Sequence, residues 1–320
     1  MISASLALLG ALVYGSADFL GGLAAKRLRS IVVTAVSAAS GLVALCLALP
    51  FLGGTWSAPD VVWGILAGAF GVIAIALLYA CLAIGPMSIL SPLTAVVSAI
   101  APMLWGLLLN GETLAPVGYV GLGVALVAVI LVGFIPGEKV VRPSIRGVAM
   151  AVGAGVAIGA FLIVMDQTTD ESGVVPLVMS RSTSVVVTLV VVAVLMIAAV
   201  RRGRRAASVL DAAGSGLGVT PTGHADLEHT ALPDDAAWTQ STRLNALWLA
   251  ITCGVVDAGA NAVMLVALRS GDLSIVSALT ALYPAGTILL AAVVLRERVA
   301  AVQWIGLTLA LIAGGMLALA

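Results

Sequence analysis

Charge is scarce in this sequence. Only 9% of its 320 residues are Asp, Glu, Lys or Arg, where a soluble domain carries roughly 25%. Hydrophobic residues make up 62%, and the mean hydropathy is +1.20. A chain of this composition cannot clothe its elements in a polar surface, which excludes a soluble globular domain and sets the protein in a lipid bilayer. Acids and bases balance at fifteen each, so there is no basic surplus to attract nucleic acid. In a membrane protein the informative quantity is which loops hold the positive residues.

Other absences narrow the class further. The three cysteines, Cys46, Cys81 and Cys253, lie inside apolar runs and lack the spacing of a disulfide framework or a metal site, so they read as small packing residues. The two histidines, His224 and His229, fall in a polar tether and are not expected to hold a metal. Met1-Ile2-Ser3-Ala4 has no basic region of a signal peptide, and the apolar run after it continues past Asp18, so a first membrane helix is expected there. No phosphate-binding P-loop pattern occurs, which argues against direct coupling to ATP. A polytopic membrane enzyme is one alternative, but no nucleophile, metal cluster or paired acids near an interface stand out. The chain is therefore not expected to be an enzyme or to carry a cofactor. A facilitative channel without ion coupling is the second alternative.

What is present is a series of long apolar runs. A spanning helix needs about 20 predominantly apolar residues. Cutting at charges, glycines and prolines predicts ten spans: 3–25, 31–52, 60–84, 87–109, 115–135, 146–165, 174–200, 244–268, 273–295 and 300–319. Two connections are longer, 136–145 and 201–243. The second opens on Arg201, Arg202, Arg204 and Arg205, continues without apolar periodicity, and is predicted to be disordered.

The chain also repeats itself. Gly85-Pro-Met-Ser-Ile-Leu-Ser-Pro-Leu-Thr-Ala95 and Gly271-Asp-Leu-Ser-Ile-Val-Ser-Ala-Leu-Thr-Ala281 share seven of eleven residues at an offset of 186. The same offset pairs Gly68 with Gly254, Ala76 with Ala262 and Leu82 with Leu268. One residue less pairs Glu112 with Glu297 and Gly121 with Gly306. This predicts a duplication: residues 1–135 as a first five-helix repeat, 136–145 as the linker, and 146–320 as a second repeat carrying the 201–243 insertion.

Charge then gives an orientation. With ten spans, one side collects Lys26, Arg27, Arg29, Lys139, Arg142, Arg146, Arg201, Arg202, Arg204, Arg205, Arg243, Arg296 and Arg298, while the other holds Arg269 alone. The positive-inside rule makes the basic side, including 201–243, cytoplasmic and turns both termini outward. Five is odd, so the second repeat enters the membrane from the opposite face. The predicted fold is an all-α integral membrane protein of ten transmembrane helices in two inverted five-helix repeats, an arrangement used by secondary transporters.

These features resemble the drug/metabolite transporter superfamily, and within it the EamA-like members. The carriers of the resemblance are Tyr14-Gly15-Ser16-Ala17-Asp18-Phe19, its weaker echo Ile158-Gly159-Ala160-Phe161, the two Leu-Thr-Ala segments, and the acids in Gly111-Glu112-Thr113 and Arg296-Glu297-Arg298. The resemblance implies that spans 1–4 and 6–9 line a central cavity, that spans 5 and 10 lie peripherally, and that small metabolites or drugs cross the inner (cell) membrane. Three departures stand out: Tyr14 where many relatives carry tryptophan, no basic residue in span 2, and a charge bias opposite to the cytoplasmic termini usual in the family.

Ionisable groups in the hydrocarbon region are costly unless paired or wetted, by about 2.5–3.5 kcal/mol on insertion scales. Asp18, Arg181 and Asp257 are the three deepest. Tyr14 with Asp18, and Asp257 with Asn261, are spaced i, i+4 and share a helix face. The expected substrate and coupling cavity is therefore Tyr14, Asp18, Tyr79, Arg181, Asp257, Asn261 and Tyr283. Asp18 and Asp257 are the candidates to bind and release a proton, and Asp18 is close enough to the end of its span to be partly hydrated. The competing reading pairs either acid structurally with Arg181, which itself could instead meet an anionic substrate group. Trp105 joins Tyr79 and Tyr283 as an aromatic that could either stack on substrate or pack. Ser88, Ser91, Thr94, Ser274, Ser277 and Thr280 read first as caps and interhelical hydrogen-bonders, and second as gate lining. Pro92, Pro102 and Pro284 are expected to kink spans 4 and 9. Glu112, Glu297 and the acids Asp166, Asp170 and Glu171 read as ordinary interfacial groups. Expected partners are a small-molecule substrate, protons and the lipid bilayer, with a homodimer left open.

Overall fold

Helices account for most of the residues described by the computed structural model, which are 2–25, 28, 30–84, 87–133, 144–203, 243–295 and 300–320, less the side chains of 30, 79–84, 87–89, 91, 92 and 243. A backbone in hydrocarbon must satisfy its N–H and C=O groups within its own segment, and only the helix does so without neighbours. The helices are α1 (Ile2–Ala25), α2 (Ser30–Leu52), α3 (Ala58–Ile84), α4 (Met87–Leu108), α5 (Pro116–Val132), α6 (Ile145–Asp166) and α7 (Val175–Arg201). They continue with α8 (Arg243–Arg269), α9 (Leu273–Thr280), α10 (Tyr283–Val294) and α11 (Ala301–Ala318). No strand occurs among the described residues. Eight stretches are long and apolar enough to cross a bilayer, counting 273–294 as one, and α5 and the described part of α4 are shorter apolar helices. The protein is thus a multi-pass helical membrane protein. Large side chains such as Val186, Leu189, Val190, Val194 and Ile197 of α7 face outward, as lipid contact requires.

Most predicted spans end within two residues of the observed helices. The fifth helix stops at Val132, three residues short of the prediction, and the ninth span differs in kind. Helical structure stops after Thr280 and restarts at Tyr283, with Ala281 and Leu282 in a turn. Pro284 in the first turn of α10 has no N–H to donate backward, which explains the break. Where span 9 was expected to kink it divides, whereas α4 runs unbroken through Pro92 and Pro102. The predicted tether 201–243 and its histidines lie outside the described residues apart from its ends, as do Glu297 and nearly all of the basic loops.

Small residues set the packing. At the crossing of α2 and α8, a methyl group at Gly41 would lie 2.8 Å from the Gly254 carbonyl oxygen. The backbones are close enough for Ser37 and Ser40 of α2 to donate to the carbonyls of Ala250 and Ile251, at 2.9 and 3.0 Å. A similar pattern joins α4 to α6, where Gly155 meets Thr94 and Val97 while the Thr94 hydroxyl donates to Ala151 O at 3.1 Å. It recurs between α1 and α10, where Thr287 donates to Gly15 O at 2.9 Å. Close approach and side-chain hydrogen bonds hold helices together where lipid gives no hydrophobic drive.

The residues that match across the repeat occupy matching contacts. Gly68 of α3 packs on Ser180 of α7, and Gly254 of α8 packs on Ser37 of α2. Gly121 of α5 meets Leu317 of α11, and Gly306 of α11 meets Val132 of α5. The main helix pairings follow suit: α1 with α8 mirrors α6 with α3, and α3 with α7 mirrors α8 with α2. Likewise α4 with α6 mirrors α9 and α10 with α1.

Candidate functional site

A cavity of about 210 Å³ lies at the centre of the bundle. Every helix from α1 to α4 and from α6 to α10 contributes to its wall, while α5 and α11 pair with each other and contribute nothing. That is the division the resemblance implied. Six of the seven expected residues, Tyr14, Asp18, Arg181, Asp257, Asn261 and Tyr283, line this one space. The seventh, Tyr79, has its side chain outside the described residues, as do Ser88 and Ser91.

The centre of the site is an ion pair between Arg181 of α7 and Asp257 of α8. Both side chains keep some exposure to the cavity, 20% and 24%, so the pair is wetted on one side and roofed by protein on the other. Asn261, one turn along α8, donates through Nδ2 to the Asp257 carbonyl at 2.7 Å and to its carboxylate Oδ2 at 3.3 Å. This second donor fixes the carboxylate toward Arg181. The Tyr14 hydroxyl points to the Met264 sulfur at 3.6 Å. Asp18 is 6% exposed, more enclosed than the partly hydrated position expected from its depth, because α1 packs along α8 and against α10 on that side. Trp105 is at 38% exposure and does not line the cavity.

Several lining groups escaped sequence reading. Thr34, Ser37, Ser98, Ser180, Ser184 and Cys253 all face the space, yet each sits in a segment apolar nearly all round, where periodicity cannot fix helix rotation. Of the repeated Ser/Thr segment, Ser277 and Thr280 line the cavity. Ser277 donates to Ser274 O at 3.1 Å, whereas the Thr280 hydroxyl, buried at the end of α9, has no hydrogen-bond partner among the described residues.

One end of the bundle is closed by interlocked turns. Arg269, at the end of α8, donates to Thr169 O at 2.9 Å and to Ser172 Oγ at 3.0 Å, and lies 3.6 Å from Asp170. Asp60 accepts from the Thr169 backbone and hydroxyl at 2.9 and 2.8 Å and from Ser57. Thr55 N donates to Glu171 O at 2.8 Å, and Asn110 donates to Asp166 at 3.2 Å. Glu112 accepts from the backbone N–H groups of Leu273 and Ser274 at 2.9 and 3.0 Å, capping α9 from a loop in the other half of the chain. The serines and threonine of 274–280 therefore do not cap this helix, and the acids at this end do more than sit at an interface. Burial and the Glu112 carboxylate push the Asp272 carboxyl above its ordinary range.

A bundle of membrane-length helices around a central, partly charged cavity defines a polytopic membrane protein. Residues 228–319 match the model of the EamA-like transporter family, which belongs to the drug/metabolite transporter superfamily. The recognition made from the repeated segments and glycines is borne out by that match, and the family is one of transporters, not enzymes. Among solved structures, a chain described only as a protein crystal structure is 16% identical, with a TM-score of 0.67 over 99% of this chain and 96% of its own. At that identity the likeness establishes the fold. No curated protein matches the chain.

Proposed function

We propose that this protein is a secondary transporter that moves a small metabolite or drug by alternating access between two inverted five-helix repeats, with protons as the coupling ion. The observation that carries the proposal is the central cavity, walled by both halves and containing the Arg181–Asp257 pair with Asp18 nearby in the same wall. Support for the inverted repeats comes from the mirrored helix pairings and from the equivalent contacts of Gly68 with Gly254 and of Gly121 with Gly306. Two equivalent halves can exchange conformations and open one site to alternate sides. A carboxylate facing such a cavity binds a proton from one side and gives it up on the other when its surroundings change.

The test is reconstitution of the purified protein in liposomes with internal pH recorded during a screen of pooled metabolites. Substrate-dependent proton movement is expected in the wild type and not in Asp257→Asn. Flux without proton movement in both would keep the transporter and discard the coupling, leaving Asp257 as the structural partner of Arg181. Absence of any saturable flux would remove the transporter reading itself.

The basic loops are proposed to be cytoplasmic in the inner membrane, which puts both termini outside. A reporter active only in the cytoplasm, fused after Ala320, is expected to be silent. Activity there would reverse the orientation.

A further inference from the structure

We infer that Thr94 and Thr280 form a reciprocal hydroxyl switch, in which each threonine ties its half of the bundle in one conformation and lets go in the other. This deepens the alternating-access reading and rests on it, and its test tells the two apart.

Thr94 and Thr280 are matched residues, 186 apart in the repeated segment. Their surroundings differ. The Thr94 hydroxyl shares its donation between Leu90 O at 3.0 Å and Ala151 O at 3.1 Å, so it ties α4 to α6. The Thr280 hydroxyl is buried and has no partner among the described residues. A buried hydroxyl without a partner is costly and calls for a reason. The helix that carries it supplies one. All eight residues of α9 are buried, and its Ser274 hydroxyl, on a residue 0% exposed, is likewise without a partner among the described residues. With Glu112 on the first N–H groups of α9, the helix is held at its outer end and leaves its inner hydroxyl idle.

The bonds that Thr280 lacks can be located. Gly15 of α1 packs on Thr287, and Gly159 of α6 packs on Ala101, which lies 186 residues before Thr287. The offset of 144 that places Gly15 on Gly159 also places Ala7 of α1 on Ala151 of α6. In the arrangement that Thr94 shows, Thr280 therefore donates to Val276 O, one turn back, and to Ala7 O. Ala7 is buried, and α9 already packs on α1, so a small turn of α9 suffices. The chain has a pivot for that turn. Pro284 has no N–H to return to the Thr280 carbonyl, and helical structure lapses at Ala281 and Leu282. The backbone bond that would otherwise run from residue 284 to Thr280 is thus missing, which frees α9 to move relative to α10. When the halves exchange conformations, Thr280 gains its pair of bonds and Thr94 gives up its own. The state closed at the α8–α9 turn is the one in which Thr94 is bonded.

The two hydroxyls then act with opposite sign on one equilibrium. The experiment uses the full chain in sealed membrane vesicles of both orientations, with Cys46 and Cys81 replaced. It measures how fast a membrane-impermeant maleimide labels Cys253 from each face. The ratio of the two rates reads the balance of states, because a local effect on the thiol changes both alike. Thr280→Val keeps the shape and removes the hydroxyl; it is expected to lower labelling from the α8–α9 face relative to the other by about three- to tenfold, the worth of one hydrogen bond. Thr94→Val is expected to raise the same ratio by a similar factor, and Thr280→Ser to match the wild type. A ratio unchanged or raised in Thr280→Val would overturn the inference, and this arm decides the matter even where Thr94→Val does not fold. Shifts of the same sign in both valine variants would also overturn it. Saturable flux alongside either result would keep the transporter and remove only the switch. Opposite shifts without saturable flux of any pooled metabolite would keep the switch and remove the transport reading. No labelling from the α8–α9 face in any variant would overturn both.

Discussion

Replacing Arg181 with alanine is expected to lower the stability of the protein by about 2–3 kcal/mol, read as a drop in the thermal midpoint in detergent, and to abolish transport. The size follows from what remains. Breaking one side of a buried ion pair costs about 3–5 kcal/mol because an uncompensated charge is left behind, and here the 20% and 24% exposure of the two side chains toward the cavity moderates the cost. Among the described residues, Asp257 would keep the Asn261 amide as its side-chain donor. The double variant Arg181→Met with Asp257→Leu removes both charges and is expected to recover most of the stability while transport stays lost. Such a cycle separates the structural value of the pair from its functional value. If the single variant is as stable as the wild type, the pair contributes nothing to the fold and its role lies in the site alone.

Loss of the Glu112 carboxylate is expected to open the end of the bundle that the interlocked turns close. Its two oxygens receive the N–H groups of Leu273 and Ser274, donors that a helix start otherwise leaves unpaired. Hydrogen bonds to an ionised acceptor are worth about 1.5–3 kcal/mol each, and the carboxylate also meets the positive end of the helix dipole. Glu112→Ala should therefore cost about 2–4 kcal/mol of closure, and Glu112→Gln, which keeps one acceptor, less. The readout is labelling of Cys253, a cavity residue, by a membrane-impermeant maleimide in a protein whose Cys46 and Cys81 are replaced. Labelling from the face of the α8–α9 turn should rise several-fold in Glu112→Ala. Unchanged labelling together with an unchanged thermal midpoint would mean that the contact does not hold the gate.

The Glu112 contact also has a pH dependence. Asp272, beside it, has a carboxyl raised above its ordinary range by burial and by the Glu112 charge. A group whose folded pKa lies above its unfolded value favours the fold when protonated, and that contribution is lost as pH rises through the folded pKa. The closed end is thus slightly disfavoured by Asp272 at neutral pH. In Glu112→Gln this dependence is expected to shrink toward the burial part alone.

How much was legible in the sequence depends on what each feature requires. The spans were, since every membrane crossing needs a long apolar run and a helix satisfies its backbone locally. The matched glycines were legible as well, because a position where two backbones touch tolerates nothing larger; Gly68 and Gly254 sit at equivalent crossings. So were Asp18, Arg181 and Asp257, whose charge inside apolar runs demands a wetted or paired setting, and the cavity supplies it. The cap that Glu112 places on α9 was not, because its partners lie 161 and 162 residues away. Neither was the choice of Asp257 as the observed partner of Arg181, nor the burial of Asp18, nor the entry of Thr34, Ser98 and Thr280 into the cavity wall. The sequence by itself determined the solvent this protein lives in, the place of its apolar spans and the charges it must accommodate, all set by local composition and length. Which faces of those helices meet was decided only by the tertiary structure, because a helix apolar nearly all round carries no periodic signal for its rotation, and close packing of small residues selects it.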